Sequence, residues 1–173
     1  MLDEKRIREA QTNVKTYLDE GLLKKVTTDQ KVMAILIKNS EESINIAKLL
    51  FDRKLSPLWT IVCSYYSMYY IANAVLNSRG YKVGDKISHK ITADALITYI
   101  KNKLEESLVE EYEQEKQQAL AITKSDDIIE SFDMERIKRG RLQYNTSEQV
   151  KYSKAATSLE RAKKFIHEMR KLL

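Results

Sequence analysis

Residues 56–80, with the sequence SPLWTIVCSYYSMYYIANAVLNSRG, decide the fold that the sequence predicts. Ser56 is placed to cap a helix whose first position is Pro57, and the stretch then continues without a breaker until Gly80. Proline at the first helical position and glycine just past the last are typical of an α-helix. Because the stretch is apolar over most of its surface, we expect it to be the central helix of a helical core.

Apolar positions before this central helix recur at spacings of three and four. Residues 3–20 predict a first helix that ends near Gly21, and the capping-box pair of Thr27 and Gln30 predicts a second helix that continues to about Lys54. The predicted core-facing side chains are Ile7, Ala10, Val14 and Leu18 in the first helix, and Val32, Ile35, Leu36, Ile44, Ala47, Leu50 and Phe51 in the second.

After the central helix, two further helices are predicted on the same grounds. Residues 80–87 are expected to form a loop, with Ser88 capping a fourth helix. Thr146 and Gln149 form a second capping box, which opens the last helix. The predicted core-facing side chains are Ala93, Ala95, Leu96, Tyr99, Ile100 and Leu104 in the fourth helix, and Val150, Ala155, Leu159, Ala162, Phe165, Ile166, Met169 and Leu173 in the last.

The segment between these two helices, residues 105–135, is charged and nearly free of glycine and proline. It predicts either an extension of the fourth helix or a helical hairpin, with a break near Ser125 and Asp126. Length and composition agree with a helical protein, because 173 residues are enough for one domain and four glycines with one proline are too few for a turn-rich all-β fold. The predicted fold class is all-α.

The side chains that could carry chemistry exclude several kinds of site. Cys63 is the one cysteine, and His89 and His167 stand at no ligand-like spacing, so we expect no zinc site. The glutamates of residues 105–115 could offer carboxylate ligands, but such density on a helix is more typical of a solvated face. The sequence also has neither a glycine-rich phosphate loop nor a nucleophile elbow. We therefore expect no metal and no cofactor.

The same residues bear on location. A lone cysteine fits a reducing compartment. No apolar run reaches the roughly 18 residues of a membrane-spanning helix, and the first residues do not resemble a secretion signal. We expect a cytoplasmic protein with no membrane contact.

Tyrosines dominate the middle of the central helix. Tyr65, Tyr66, Tyr69 and Tyr70, with Trp59 one to two turns earlier, could form a platform on which the bases of a single strand stack. The alternative is core packing. Because the tyrosines form two adjacent rows one helical turn apart, as on the wide apolar face of a bundle helix, core packing is favoured.

Charge is unevenly distributed in the second half of the chain. Residues 101–135 have 4 basic and 11 acidic residues, a net charge of −7, whereas residues 136–173 have 11 basic and 3 acidic residues, a net charge of +8. Guanidinium groups and the free N–H groups of a helix start both favour anions such as phosphate. The basic segment opens with a cluster suited to that role, Arg136, Lys138, Arg139, Arg141, Tyr144 and Asn145. An internal ion-pair network with acidic residues 126–135 fits the sequence equally well.

Three features follow one another in an order typical of a known family. Residues Tyr65–Ala72, YYSMYYIA, come after the apolar positions Ile44, Ala47 and Leu50; Ser88, His89 and Lys90 follow the Gly80 loop; and residues 136–144 precede Ala155, Leu159, Ala162 and Phe165. Over residues 32–172 the chain resembles the HEPN (higher eukaryotes and prokaryotes nucleotide-binding) family, in its short, single-domain prokaryotic branch.

The resemblance implies an antiparallel up-and-down helical bundle with a four-helix core. Residues 27–173 would be this domain, and residues 1–26 an N-terminal helical extension. It also implies a homodimer that binds RNA or a nucleotide, often paired with a small nucleotidyltransferase as toxin and antitoxin. The predicted nucleotide- or RNA-binding residues are Arg136, Arg139, Arg141, Tyr144 and Asn145.

Many members of the family are metal-independent endoribonucleases in which a histidine follows an arginine after four to six residues. None of Arg136, Arg139 and Arg141 is followed by histidine at that distance. Tyr144 would be a poor general base, because an ordinary tyrosine has a pKa of about 10. The remaining candidates are Arg139 or Arg141 to stabilise transition-state charge, and His89 or Tyr144 to move protons.

Three functions therefore stay open. The first is a non-catalytic HEPN-like module that binds RNA, a nucleotide or a partner protein. The second is a ribonuclease of the same fold. The third is a scaffold whose basic end only pairs with its acidic middle or with a neighbouring subunit.

Overall fold

The central helix begins and ends as its sequence predicts. The computed structural model describes residues 3–135 and 152–173. In it, helix α3 spans Pro57–Ser78, and the Ser56 hydroxyl accepts a hydrogen bond from the N–H of Trp59. Gly80 follows the helix at a φ of +81°, in the left-handed region that glycine adopts without strain. The buried face of α3 lies at the centre of the apolar core.

Five further helices and one short two-stranded sheet surround α3 in the described residues. The helices are α1 (Glu4–Asp19), α2 (Gln30–Asp52), α4 (Ser88–Tyr99), α5 (Glu106–Glu135) and α6 (Tyr152–Arg170), and the strands are β1 (Leu23–Lys25) and β2 (Tyr81–Val83). Helices account for 79% of the described residues, so the predicted all-α class is confirmed.

Contacts near the helix ends give the direction of each core helix. α2 and α3 are antiparallel neighbours joined by a short turn. Two contacts, Tyr152 to the Lys54 carbonyl and Arg170 to Glu41, make α6 antiparallel to α2, and two others, Lys164 to Glu105 and Arg161 to Glu115, make it antiparallel to α5. The four helices α2, α3, α5 and α6 thus form the antiparallel up-and-down bundle that the sequence predicts.

Helix α1 packs against this bundle as the extra N-terminal helix. Its buried side chains Val14 and Tyr17 belong to the main apolar cluster. Ala10 packs with Ile97 of α4 and Val109 of α5 in a smaller cluster. The first helix therefore contributes apolar surface to the same interior as the core helices.

A two-stranded antiparallel sheet connects the end of α1 to the loop after α3. β1 and β2 pair antiparallel, with Leu23 opposite Val83. The N–H of Gly84 donates to the carbonyl of Leu22 at 2.8 Å, and a Cβ on Gly84 would lie only 2.9 Å from that oxygen. The sequence predicts a loop at residues 80–87 and no strand, since three-residue strands leave no readable alternation.

Two predicted caps are wrong. α2 begins at Gln30, and its cap is Asp29, whose carboxylate accepts from the N–H groups of Lys31 and Val32, so Thr27 plays no part. At α4 the cap position is Ile87, at a φ of +45° and without a side-chain hydrogen bond, and Ser88 is the first helical residue. At α2, Asp29 lies nearer the helix than Thr27 and takes its place as the cap. At α4, the turn puts Ile87 at the cap position, so Ser88 is one residue inside the helix.

Three features of the helices also differ from the prediction. α5 is a separate helix that follows a 3₁₀ turn at residues 101–103 and continues through Ser125 and Asp126, so neither the extension of α4 nor the break is correct. Ile35 is exposed, because it lies about 200° around α2 from the buried Met33. In α6 the predicted apolar stripe is buried from Ala155 to Met169, while Leu173 lies past the helix end and is exposed.

Candidate functional site

The anion-binding cluster predicted from the sequence lies outside the described residues. This applies to Arg136, Lys138, Arg139, Arg141, Tyr144 and Asn145, and to the capping pair Thr146 and Gln149 with Val150. Their roles stay predictions, and so does the alternative ion-pair network with residues 126–135. The described structure instead shows which other charges are paired and where the remaining candidate, His89, lies.

His89 lies in a cluster of rings at the junction of α3, α4 and α5. We call His89, Tyr65, Tyr66 and Tyr69 the His89 cluster. The Nδ1 atom of His89 is 2.7 Å from the Tyr65 hydroxyl, and its ring centroid is 5.5, 5.7 and 4.5 Å from those of Tyr65, Tyr66 and Tyr69. Three tyrosines thus fix the orientation of the imidazole, and Nε2 makes no hydrogen bond to any described residue.

The surroundings of His89 favour its neutral form. Burial of the half-buried imidazole lowers the pKa of His89 below its ordinary value of 6.5, and the positive charge of Lys116 lowers it further. Burial also raises the pKa of Tyr65 well above its usual range, so this phenol stays protonated. A neutral imidazole bonded at Nδ1 can accept or donate a proton at Nε2, depending on its tautomer.

A second polar group, the Asp94 network, joins α1 to α4 and α5. It consists of Arg6, Asn13, Tyr17, Asp94 and Glu113. Asp94 is fully buried, and its carboxylate accepts from Arg6 at 2.7 Å, from Tyr17 at 2.9 Å and from Asn13 at 3.0 Å. Arg6 also donates to Glu113 at 2.5 and 3.1 Å. The network satisfies a buried carboxylate with side chains of α1.

The pKa values in this network follow from burial and pairing. Burial disfavours the charge of Arg6, but its hydrogen bonds to Glu113 and Asp94 outweigh burial and raise the pKa of Arg6. Burial, with the nearby Asp94 charge, raises the pKa of Tyr17 above its usual range. Arg6 is therefore charged and Tyr17 protonated across the physiological range.

Lys116 lies between the Asp94 network and the His89 cluster. Its side chain is only 13% exposed and its Nζ is 3.8 Å from Glu113. Burial lowers the pKa of Lys116 from its ordinary value; the negative charges of Glu113 and Asp94 raise it, and the positive charges of Arg6 and Lys90 oppose them. This lysine is a desolvated cation with one long contact to a carboxylate.

A shallow polar cleft of about 230 Å³ lies between α5 and α6. Its lining is Glu115, Gln118, Lys154, Thr157 and Arg161. Glu115 is almost completely buried and is already held by the Ser158 hydroxyl and by Arg161 at 2.9 Å. The carboxylate therefore serves an interhelical ion pair.

The other sequence candidates can be placed as well. Tyr65 is fully buried, which confirms core packing for that tyrosine, whereas Tyr66, Tyr69 and Tyr70 are half-buried and Trp59 is 49% exposed. His167 is on the surface of α6. Residues 3–135 and 152–173 contain no group of three or more His, Cys, Asp and Glu side chains that could hold a metal ion.

The sequence interpretation missed the Asp94 network and Lys116. The sequence could have indicated that Asp94 is buried and paired, because it is the one charged residue in the apolar stretch ITADALITYI of residues 91–100. Such a residue on a buried helix face needs polar partners. No sequence pattern indicates a buried Lys116, since it stands among the glutamates of an acidic segment.

Comparison with known proteins identifies no family for this chain. No protein-family model matches the chain, and no curated protein matches it significantly. Within the described residues, no helix combines the length and the apolar character needed to cross a bilayer.

Proposed function

We propose that the protein is a HEPN-like, cytoplasmic module that binds RNA or a nucleotide through residues of its basic segment. The proposed contacts are Arg136, Arg139, Arg141, Tyr144 and Asn145. In this proposal the protein is a homodimer and one member of a toxin–antitoxin pair with a small nucleotidyltransferase. Binding requires no catalysis by this chain.

One observation carries the proposal: glutamates in the described part of the acidic segment are paired with cations of α1 and α6. Glu113 pairs with Arg6, Glu115 with Arg161 and Glu105 with Lys164. Those carboxylates are neutralised without the arginines of residues 136–141. These three carboxylates are therefore not available to the arginine cluster, which supports an anion as its partner; the competing internal network draws on other acidic residues, above all residues 126–135.

Binding of labelled single-stranded RNA by the full chain, with EDTA present, tests this function. The variant Arg139→Ala/Arg141→Ala should bind at least about tenfold more weakly, and its affinity should depend less on salt, by roughly 0.7 in log–log slope for each lost phosphate contact. The matched control is Lys163→Ala/Lys171→Ala, which removes one cation of α6 and one just past its end that pair with Glu160 and Glu168. Equal affinity of the two double variants, or no RNA binding by the wild type, would contradict the proposal.

A metal-independent endoribonuclease is the second candidate, and the geometry of His89 favours it. In the tautomer whose Nδ1–H donates to the Tyr65 hydroxyl, Nε2 carries no proton, makes no hydrogen bond to the described residues and is suited to accept a proton from a 2′-hydroxyl. RNA cleavage in EDTA should then be lost in His89→Gln and kept in His167→Gln, the only other histidine of the chain. Cleavage by both variants at the wild-type rate would exclude His89 from catalysis.

A further inference from the structure

The aromatic rings of Trp59 and Tyr152 lie at one end of the bundle, beside the turn between α2 and α3. Trp59 is in the first turn of α3, where its backbone N–H donates to the Ser56 hydroxyl. Tyr152 is the first residue of α6, and its hydroxyl donates to the carbonyl of Lys54 at 2.5 Å. Because α3 and α6 pack against each other and both begin at this end, the two rings share one surface.

Both rings stay accessible in the folded protein. Trp59 is 49% exposed and Tyr152 41%, and Leu55, in the turn itself, is 63% exposed. We call Leu55, Trp59 and Tyr152 the turn patch. Within residues 3–135 and 152–173, neither ring packs against another aromatic ring. Single exposed apolar side chains are ordinary, whereas several that share one surface are typical of a binding site.

The side chains next to the turn patch are mainly cationic. Arg53 and Lys54 directly precede Leu55, both are exposed, and neither forms an ion pair with any described residue. The one carboxylate of this stretch is Asp52, at the end of α2. Cations beside accessible aromatic rings favour a ligand with both negative charge and flat apolar faces, as a single nucleic-acid strand has in its phosphates and bases.

The turn patch is also close in sequence to the proposed RNA contacts. Tyr152 lies seven residues after Asn145, the last of those contacts. Seven residues of chain span at most about 25 Å. A short RNA strand that binds at Asn145 therefore lies within reach of the turn patch.

We propose that Trp59 and Tyr152 each stack on an unpaired base of the bound RNA, with its phosphates next to Arg53 and Lys54. The inference rests on the proposed RNA binding and narrows the ligand to a single strand, because the bases of a duplex offer no free face to a side chain. The hydroxyl of Tyr152 is already bonded to the Lys54 carbonyl, so its ring is held in place and offers its faces to the ligand.

Tryptophan fluorescence tests this contact directly, because Trp59 is the only tryptophan of the chain. With the full chain in EDTA, an unlabelled oligouridylate should quench the fluorescence in step with the binding that anisotropy of a labelled copy measures. Inorganic polyphosphate, which has charge but no bases, and duplex RNA should leave the fluorescence unchanged. Binding of the oligouridylate without quenching would overturn the inference.

Substitutions in the turn patch provide the second arm of the test. Trp59→Ala should bind the labelled oligouridylate at least about fivefold more weakly, the smallest loss expected for one stacked base, and Trp59→Phe should retain most of the affinity. Tyr152→Ala should also bind more weakly, whereas Tyr152→Phe, which loses only the hydroxyl bonded to Lys54, should bind like the wild type.

Leu55→Ala is the matched control, since Leu55 is the most exposed side chain of the turn patch and cannot stack on a base. Circular dichroism establishes that each variant is folded. Equal losses of affinity in Trp59→Ala and Leu55→Ala, or wild-type affinity in Trp59→Ala, would contradict stacking. If the two variants instead lower the mass of the protein in sedimentation and keep the RNA affinity, the turn patch is a protein interface and the inference is wrong.

The outcome separates this inference from the proposed function. If Arg139→Ala/Arg141→Ala binds like the wild type but Trp59→Ala binds weakly, the arginine site is wrong and the stacking site stands. If only the arginine variant loses affinity, the proposed function stands and stacking is wrong. If the wild type binds no RNA and shows no quenching, both are wrong.

Discussion

Asp94 and Arg6 show how single side chains hold α1 on the bundle. Replacing Arg6 by Ala would leave Asp94 and Glu113 without their strongest cationic partner, and breaking a buried ion pair from one side typically costs about 3–5 kcal/mol. Because Asn13 and Tyr17 still donate to Asp94, we expect a loss of about 3 kcal/mol in the free energy of unfolding. Arg8→Ala is the control on the same helix, since Arg8 is 76% exposed. Denaturant unfolding that gives equal losses would contradict this role for Arg6.

His89 predicts a pH dependence of stability in the absence of ligand. The pKa of His89 is lowered in the folded protein, so the unfolded chain binds a proton more readily. The stability that comes from the neutral imidazole is complete above about pH 6.5 and is lost as the pH falls below that value. The drop in melting temperature between pH 7.5 and 5.5 should therefore be smaller in His89→Gln than in the wild type. His167→Gln, altered at an exposed histidine, should behave like the wild type.

At the scale of the helices and strands, the sequence predicts best where the signals are local. The Ser56 cap, Pro57 and Gly80 delimit α3 by short-range geometry alone, and the structure agrees. The two-stranded sheet depends on pairing between residues 23–25 and 81–83, almost sixty positions apart, which no local pattern reveals. Ile35 follows the helical spacing of α2 but faces outward, because the packing partners decide which of two adjacent stripes is buried.

The residues of the candidate site likewise differ in whether local sequence patterns or only the packing of distant helices indicates them. The arginine cluster of residues 136–141 is readable from charge alone, and its role stays a prediction. The sequence places His89 at a helix start, but only the packing of α3 against α4 brings it to Tyr65. The effect of the Lys116 charge on His89 depends on where α5 begins, which local sequence patterns did not indicate.

The packing of α1 predicts the result of deleting the N-terminal extension. A chain of residues 27–173 would expose the core surface that Val14 and Tyr17 cover, leave Asp94 without its three donors and remove the partner of β2. We expect this chain to melt at least about 10 °C below the wild type, because several kcal/mol are lost together. Circular dichroism measures the transition. A melting temperature within a few degrees of the wild type would show that residues 1–26 are an independent extension.

Across the whole molecule, ion pairs connect helices that are distant in sequence. Arg6 joins α1 to α4 and α5, Arg161 joins α6 to α5, and Arg170 joins α6 to Glu41 of α2. The first two involve nearly buried carboxylates, which salt screens weakly, and the third is a half-exposed pair of the kind that contributes little. Most of the basic side chains of α6 are therefore paired with carboxylates of the same subunit. The excess positive charge of the chain lies outside these pairs.

Salt should consequently separate folding from binding. Between 0.05 and 0.5 M salt we expect the melting temperature to change by only a few degrees, because the buried pairs are poorly screened and the exposed ones are weak. Over the same range RNA affinity should fall by at least about tenfold if two or more phosphates are neutralised. Parallel measurements of melting and anisotropy on one preparation test both expectations. A melting temperature that falls by many degrees over the same range would contradict this expectation. The cations of the basic segment would then be paired inside the subunit, and the scaffold interpretation would replace the binding one.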